Sequence, residues 1–173
     1  VDECEDDPHK AHLLNVTAAR NTAAIAAALG SRLVHVSTDQ LFDGTEPWVT
    51  EANIPAPLNT YGRTKLLAER AVLEECPGAL VIRTNFYGWG TPTRRSFSDW
   101  IIKNLEQRKE LTMFSDVFLT PILINQLVEV TTDLIAREAS GVFHVAGSER
   151  LSKHAFALKL SKVFGYPQGQ IRP

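Results

Sequence analysis

Tyr61 and Lys65 stand four residues apart, the spacing that puts two side chains on one helix face a turn apart. A phenol ordinarily titrates at about 10. An ammonium beside it favours the phenolate and lowers that value. A tyrosine tuned in this way can exchange a proton near neutral pH. Two further polar clusters, Ser37-Thr38-Asp39 and Arg83-Thr84-Asn85, each follow an apolar run. Ligands of open parallel sheets bind beyond the carboxyl ends of the strands. A hydroxyl from Thr38 or Ser37 could hydrogen-bond the same substrate oxygen as Tyr61. Together such groups would relay a proton while a carbonyl and an alcohol interconvert. A lone Tyr-x-x-x-Lys is common on ordinary amphipathic helices. The ordered series is more specific: strand, Ser-Thr-Asp, loop, Pro-Leu-Asn-x-Tyr-Gly-x-x-Lys, helix, strand, Arg-Thr-Asn.

The elements that must hold these groups alternate in period. Pro8 to Leu29 reads as a helix, with Asp6 and Asp7 before it, Pro8 in the first turn and Gly30 at the stop. Leu14, Thr17, Ala18, Asn21 and Ile25 are spaced for one face of it. Arg32 to Ser37 is a strand with an apolar core. Gly44, Pro47, Pro55 and Pro57 break residues 39 to 60 into a long loop, a length that usually carries function. Tyr61 to Glu75 is helical, and Ala79 to Arg83 a second strand. Further helices are expected over 97–108, 123–137 and 152–164, the last capped by Ser152, with strands over 111–114 and 142–146. Strands alternating with helices predict an α/β fold with a parallel sheet.

The composition narrows the partners. The chain has 173 residues, 44% apolar and 22% charged, as globular proteins do. A net charge of −2 gives no electrostatic case for nucleic acid. No run reaches the roughly 18 apolar residues of a membrane helix. Cys4 and Cys76 make neither a metal spacing nor a disulfide framework, so a reduced, cytoplasmic protein is expected. The histidines are scattered and suggest no metal site. His35 and His144 fall inside strands and are expected to be satisfied there. The start at Val1 suggests a piece of a longer chain.

Three stretches carry a resemblance: Ser37-Thr38-Asp39-Gln40-Leu41-Phe42-Asp43-Gly44, Pro57-Leu58-Asn59-Thr60-Tyr61-Gly62-Arg63-Thr64-Lys65 and Arg83-Thr84-Asn85-Phe86-Tyr87-Gly88. With them the sequence resembles the extended short-chain dehydrogenase/reductase superfamily and, within it, the dTDP-4-dehydrorhamnose reductase branch, over nearly the whole chain. The resemblance implies a partial Rossmann-like parallel sheet with flanking helices plus a small C-terminal substrate lobe. Residues 1–90 would belong to the dinucleotide-binding domain and 91–173 mainly to the lobe, with some elements returning. It implies NADPH or NADH as cofactor and a nucleotide-sugar as substrate. A homodimer is compatible with it, and neither nucleic acid nor membrane is expected as a partner. Tyr61 would protonate the C4 oxygen as hydride arrives, Lys65 would lower the tyrosine pKa and bind the nicotinamide ribose, and Thr38 would bind the reacting oxygen. Asn15, Ser37, Thr84 and Asn85 would join Tyr61 and Lys65 around the cofactor. Asp39, Phe86 and Phe118 would face the substrate.

The departures from the pattern are informative. The glycine-rich dinucleotide fingerprint is absent, so the expectation is a C-terminal part that does not by itself hold the cofactor pyrophosphate. Gln40 stands where related dehydratases carry an acid, which counts against elimination chemistry. Many relatives have tryptophan at the position of Phe86. Arg94 and Arg95, in Thr91-Pro92-Thr93-Arg94-Arg95, could meet a diphosphate or simply lie in a solvated loop. Phe118 could equally be a core residue. Two other functions remain open: a sugar-nucleotide epimerase using the same Tyr and Lys, and a non-catalytic regulatory subunit like the methionine adenosyltransferase β-subunit.

Overall fold

The computed structural model describes residues 1–91 and 93–173, so Pro92 lies outside the described residues. In chain order the first helices are α1 (Asp2–Asp6), α2 (Pro8–His12), a π-helical turn over Leu13–Thr17 and α3 (Ala18–Ala28). Strand β1 (Val34–Val36), helix α4 (Thr60–Glu75) and strand β2 (Leu80–Arg83) follow. Then come β3 (Phe86–Tyr87), α5 (Phe97–Glu106), β4 (Leu111–Thr112), β5 (Phe118–Leu119), β6 (Ile122–Leu123) and α6 (Ile124–Ala136). The chain ends with β7 (Gly141–His144), β8 (Leu151–Ser152), α7 (Lys153–Val163) and β9 (Ile171–Arg172). Two compact units result, residues 1–84 with 130–145, and residues 85–129 with 146–173.

The first unit is built on a three-stranded parallel sheet in the order β1-β2-β7. Every residue of β2 is buried, which is why Leu80-Val81-Ile82 reads as an unbroken apolar run rather than an alternation. Val81 packs with Ala23 of α3, with Val72 of α4 and with Cys76 and Ala79. The period of two then sends Arg83 to the same side of the sheet, toward α4. The register sets His35 beside Val81 and His144 beside Arg83, so these side chains share that side too.

The helix expected over 8–29 forms, but its buried face differs from the expected one. Ala11, Val16, Ala23 and Ala26 are buried, whereas Leu14 and Ile25 are 60% and 61% exposed. The wide turn at Leu13–Thr17 shifts the phase of the helix midway, so one 3.6-residue period cannot describe both halves. The short helix α1 and most of the two-residue strands were not expected, because such pieces carry no periodic signal.

In the second unit, Ile101 and Leu105 of α5 pack with Phe156, Ala157 and Leu160 of α7 and with Leu111, Met113 and Ile171. Ser96 and Asp99 close a capping box at the start of α5, at 3.0 and 2.9 Å. Ser152 caps α7 by accepting from the Ala155 N–H at 3.0 Å, as its position implied. Among the described residues no helix is long and apolar enough to cross a membrane, and both cysteines are free thiols.

Candidate functional site

The start of α4 is fixed from several directions. Asn59 caps it by accepting from the Gly62 N–H at 2.7 Å. The Glu5 carboxylate accepts from the Thr60 hydroxyl at 2.8 Å and also from the Thr60 N–H. A carboxylate suits the partial positive charge of a helix N-terminus. Those bonds, the backbone one first, hold the Glu5 carboxyl below its usual range. Sequence reasoning missed Glu5. Its service is to a helix 55 residues away, which no local spacing can show.

Two ties then bind the first turns of α4 to the tip of β1. The Lys65 ammonium donates to the Val36 carbonyl at 2.7 Å. Gly62 lies so close to Gln40 that an added Cβ would come well inside van der Waals contact with the Gln40 carbonyl oxygen, and to 2.9 Å from the Pro57 Cβ. Val36 and Gln40 flank Thr38 two residues on either side, and Gly62 follows Tyr61. The half-buried Tyr61 is therefore carried on a turn pinned against the segment that holds Thr38. Burial pushes the Lys65 ammonium down from its ordinary value, and the Glu69 carboxylate opposes this in part.

Thr38 is buried. Its hydroxyl accepts from the Gln40 N–H at 3.2 Å and lies 3.3 Å from an Asp39 carboxylate oxygen. Asn15 sits in the π turn and donates to the Thr64 hydroxyl at 2.9 Å. That hydroxyl in turn donates to the Tyr61 carbonyl at 2.9 Å. Asn15 thus braces the turn that bears Tyr61. Wide turns of this kind are frequent at functional sites. Ser37 and Thr84 lie at the ends of the neighbouring strands β1 and β2, where the Ser37 N–H donates to the Ile82 carbonyl at 2.7 Å. Both of their hydroxyls are buried without a partner among the described residues.

His35 corrects an expectation. Its place inside a strand predicts a satisfied ring, yet its Nε2 is buried without a hydrogen bond among the described residues. Burial, helped by the nearby Lys65 charge, pulls its pKa down to about 4, with Glu69 acting in the opposite sense. His35 faces α4, and its ring stays neutral down to about pH 4. His144, by contrast, has partners in Arg83 and the Val49 carbonyl. A concavity of about 260 Å³ is lined by Asn15, Ala19, His35, Val36 and Lys65, but Thr38 and Tyr61 are not on its wall.

The remaining candidates lie in the second unit. The Asn85 carbonyl accepts from the Ile122 N–H at 2.9 Å. Phe86 pairs in register with Ile122 on β3–β6, while Phe118 lies on β5–β8. Both rings are about half exposed, so the core alternative for Phe118 does not hold. The Arg150 guanidinium covers one face of Phe118 at 3.7 Å. Arg94 and Arg95 are exposed.

A parallel α/β sheet with helices packed on it, and the Tyr-x-x-x-Lys helix tied to a strand tip, defines a Rossmann-like architecture. The chain belongs to the RmlD substrate binding domain family, whose model matches residues 1–173. It is 34% identical to methionine adenosyltransferase 2 subunit beta of Xenopus laevis, over 99% of this chain and 54% of the relative. Among solved structures, it is similar to a hypothetical dTDP-4-dehydrorhamnose reductase from Sulfolobus tokodaii (33% identity, TM-score 0.89, 99% of this chain and 60% of that one). It is also similar to a dTDP-4-dehydrorhamnose reductase from Bacillus anthracis in complex with NADP (28% identity, TM-score 0.92, 100% and 61%). The chain spans about half the length of the curated relatives it matches.

Proposed function

We propose that the protein is an NAD(P)-dependent reductase of a nucleotide-linked 4-keto deoxysugar, working with NADPH or NADH. The observation that carries this reading is the double tie of α4 to the β1 tip, Lys65 to the Val36 carbonyl and Gly62 against Gln40. It brackets Thr38 with the turn that bears Tyr61. The residues present suit a nicotinamide at the strand ends: Ser37 and Thr84 offer buried hydroxyls without a partner among the described residues, and Lys65 offers an ammonium. When bound, the nicotinamide supplies hydride. Ser37, Asn15, Lys65, Thr84 and Asn85 are the residues that would hold it.

The chain's own groups supply the proton. Tyr61 donates from its hydroxyl to the carbonyl oxygen as that oxygen gains negative charge, and the Lys65 ammonium stabilises the phenolate left behind. The Thr38 hydroxyl orients the same oxygen. Asp39, Phe86 and Phe118 contribute to substrate binding, the two rings through their exposed faces. Residues 1–90 serve the dinucleotide and 91–173 mainly the sugar nucleotide. A cytoplasmic setting and a homodimer belong to the same reading.

A second reading is supported by the 34% identity to a methionine adenosyltransferase β-subunit, namely a regulatory subunit. The two differ in turnover. The full-length protein, given a nucleotide-linked 4-keto sugar, is expected to oxidise one reduced nicotinamide per sugar reduced. Stable association with a methionine adenosyltransferase catalytic subunit, without any such oxidation, would favour the second reading.

A further inference from the structure

Glu69 and Arg83 form an ion pair whose side chains are only 3% and 8% exposed. The Arg83 Nε donates to both carboxylate oxygens, at 3.1 and 3.2 Å, and its Nη2 donates at 2.7 Å. Removing two charges from water costs several kcal/mol per ion, and apolar pairs of similar volume often give equal or better stability. Stability alone therefore does not account for the pair. Its place in the fold does. Tyr61, Lys65 and Glu69 follow one another at four-residue steps, so they form a stripe along α4. Arg83 ends β2, and its fork grips the lower end of that stripe from the sheet.

The other side of Arg83 holds the long loop. The guanidinium lies 5.6 Å from the centre of the Phe42 ring. Its Nη1 is 3.4 Å from the His144 Nε2. The His144 Nδ1 is 3.2 Å from the Val49 carbonyl, which can only accept, so Nδ1 carries the proton and Nε2 faces Arg83 as an acceptor. The His144 N–H donates to a Glu51 carboxylate oxygen at 2.7 Å. Phe42, Val49 and Glu51 all belong to the long loop that follows Thr38.

We propose that the Glu69–Arg83 pair is a positioning device. It fixes the rotation of α4, and thus the aim of Tyr61 and Lys65, and locks residues 42–51 of the Thr38 loop to the same strand end. This goes deeper into the reductase reading and rests on it for the catalytic consequence. The geometric consequence stands by itself.

The test uses the full-length protein carrying Glu69→Leu with Arg83→Met, which replaces both charges by apolar groups. The variant is expected to melt within a few degrees of the parent. Its kcat for keto-sugar reduction should fall tenfold to about a hundredfold, as misplaced catalytic groups do, with little change in KM. Amide hydrogen exchange over residues 42–51 and 61–65 should quicken at least tenfold. Parental kcat and parental exchange in the stable variant would overturn the proposal. If the double variant melts early, Arg83→Lys decides, since it keeps the charge and loses the fork. A folded Arg83→Lys protein with full kcat and parental exchange would equally overturn it. If the parent itself shows no turnover, the reductase reading falls, and exchange alone decides: faster exchange supports the device, parental exchange refutes it.

Discussion

The His35 imidazole is half-buried on the α4 side of the sheet, close enough to Lys65 for the ammonium to depress its pKa. The folded protein keeps the ring neutral down to about pH 4, whereas an unfolded histidine binds its proton at about 6.5. Between those values the unfolded state holds more protons, so stability is full above pH 6.5 and declines as pH falls toward 4. A His35→Leu variant should lose less of its urea midpoint than the parent between pH 6.5 and 4. Equal losses in the two proteins would refute the assignment. At this scale the types and spacing of Thr38, Tyr61 and Lys65 single them out in the sequence as candidates, and the structure sets α4 against the β1 tip that leads to Thr38. It did not display Glu5, Glu69 or the orphaned His35 nitrogen. Those depend on which side chains meet across 55, 14 and 30 residues of chain, respectively, and a local pattern holds no such information.

Helix α4 owes its seat to the absence of a side chain. Gly62 meets the Gln40 backbone oxygen and the Pro57 Cβ, and neither can swing away as a flexible side chain would. Gly62→Ala should therefore push the first turn of α4 off the β1 tip. The expected cost is about 1–3 kcal/mol of stability, typical of overpacking, together with a drop in turnover. Denaturant melts that match the parent's would contradict this close approach. The helices and main strands were legible within a residue or two, since α4, β2 and α7 each carry a clear period or cap. The π turn was not. It breaks the period in mid-helix and leaves Leu14 and Ile25 exposed, where a uniform helix would have aligned them with the buried face.

At the scale of the whole molecule, the sheet is the organising feature. Its parallel pairing follows from the alternation of strands and helices, whereas its order β1-β2-β7 has no signal in the sequence. The two units divide at Thr84/Asn85, Glu129/Val130 and Val145/Ala146, and no shift in composition marks these points. The expected boundary near residue 90, with later elements returning, follows from the family resemblance and not from composition. Among the described residues β1 is paired along one edge only, and the chain spans about half the length of its relatives. Activity is therefore a property to measure on the full-length protein. The most direct measurement is the oxidation of reduced nicotinamide by a nucleotide-linked 4-keto sugar, catalysed by the parent and by Tyr61→Phe. Loss of a positioned proton donor removes about a hundredfold or more of rate. The phenylalanine variant should lose at least that much while its circular dichroism and melting temperature stay at parental values. Parental turnover without the phenol would contradict the account at its root.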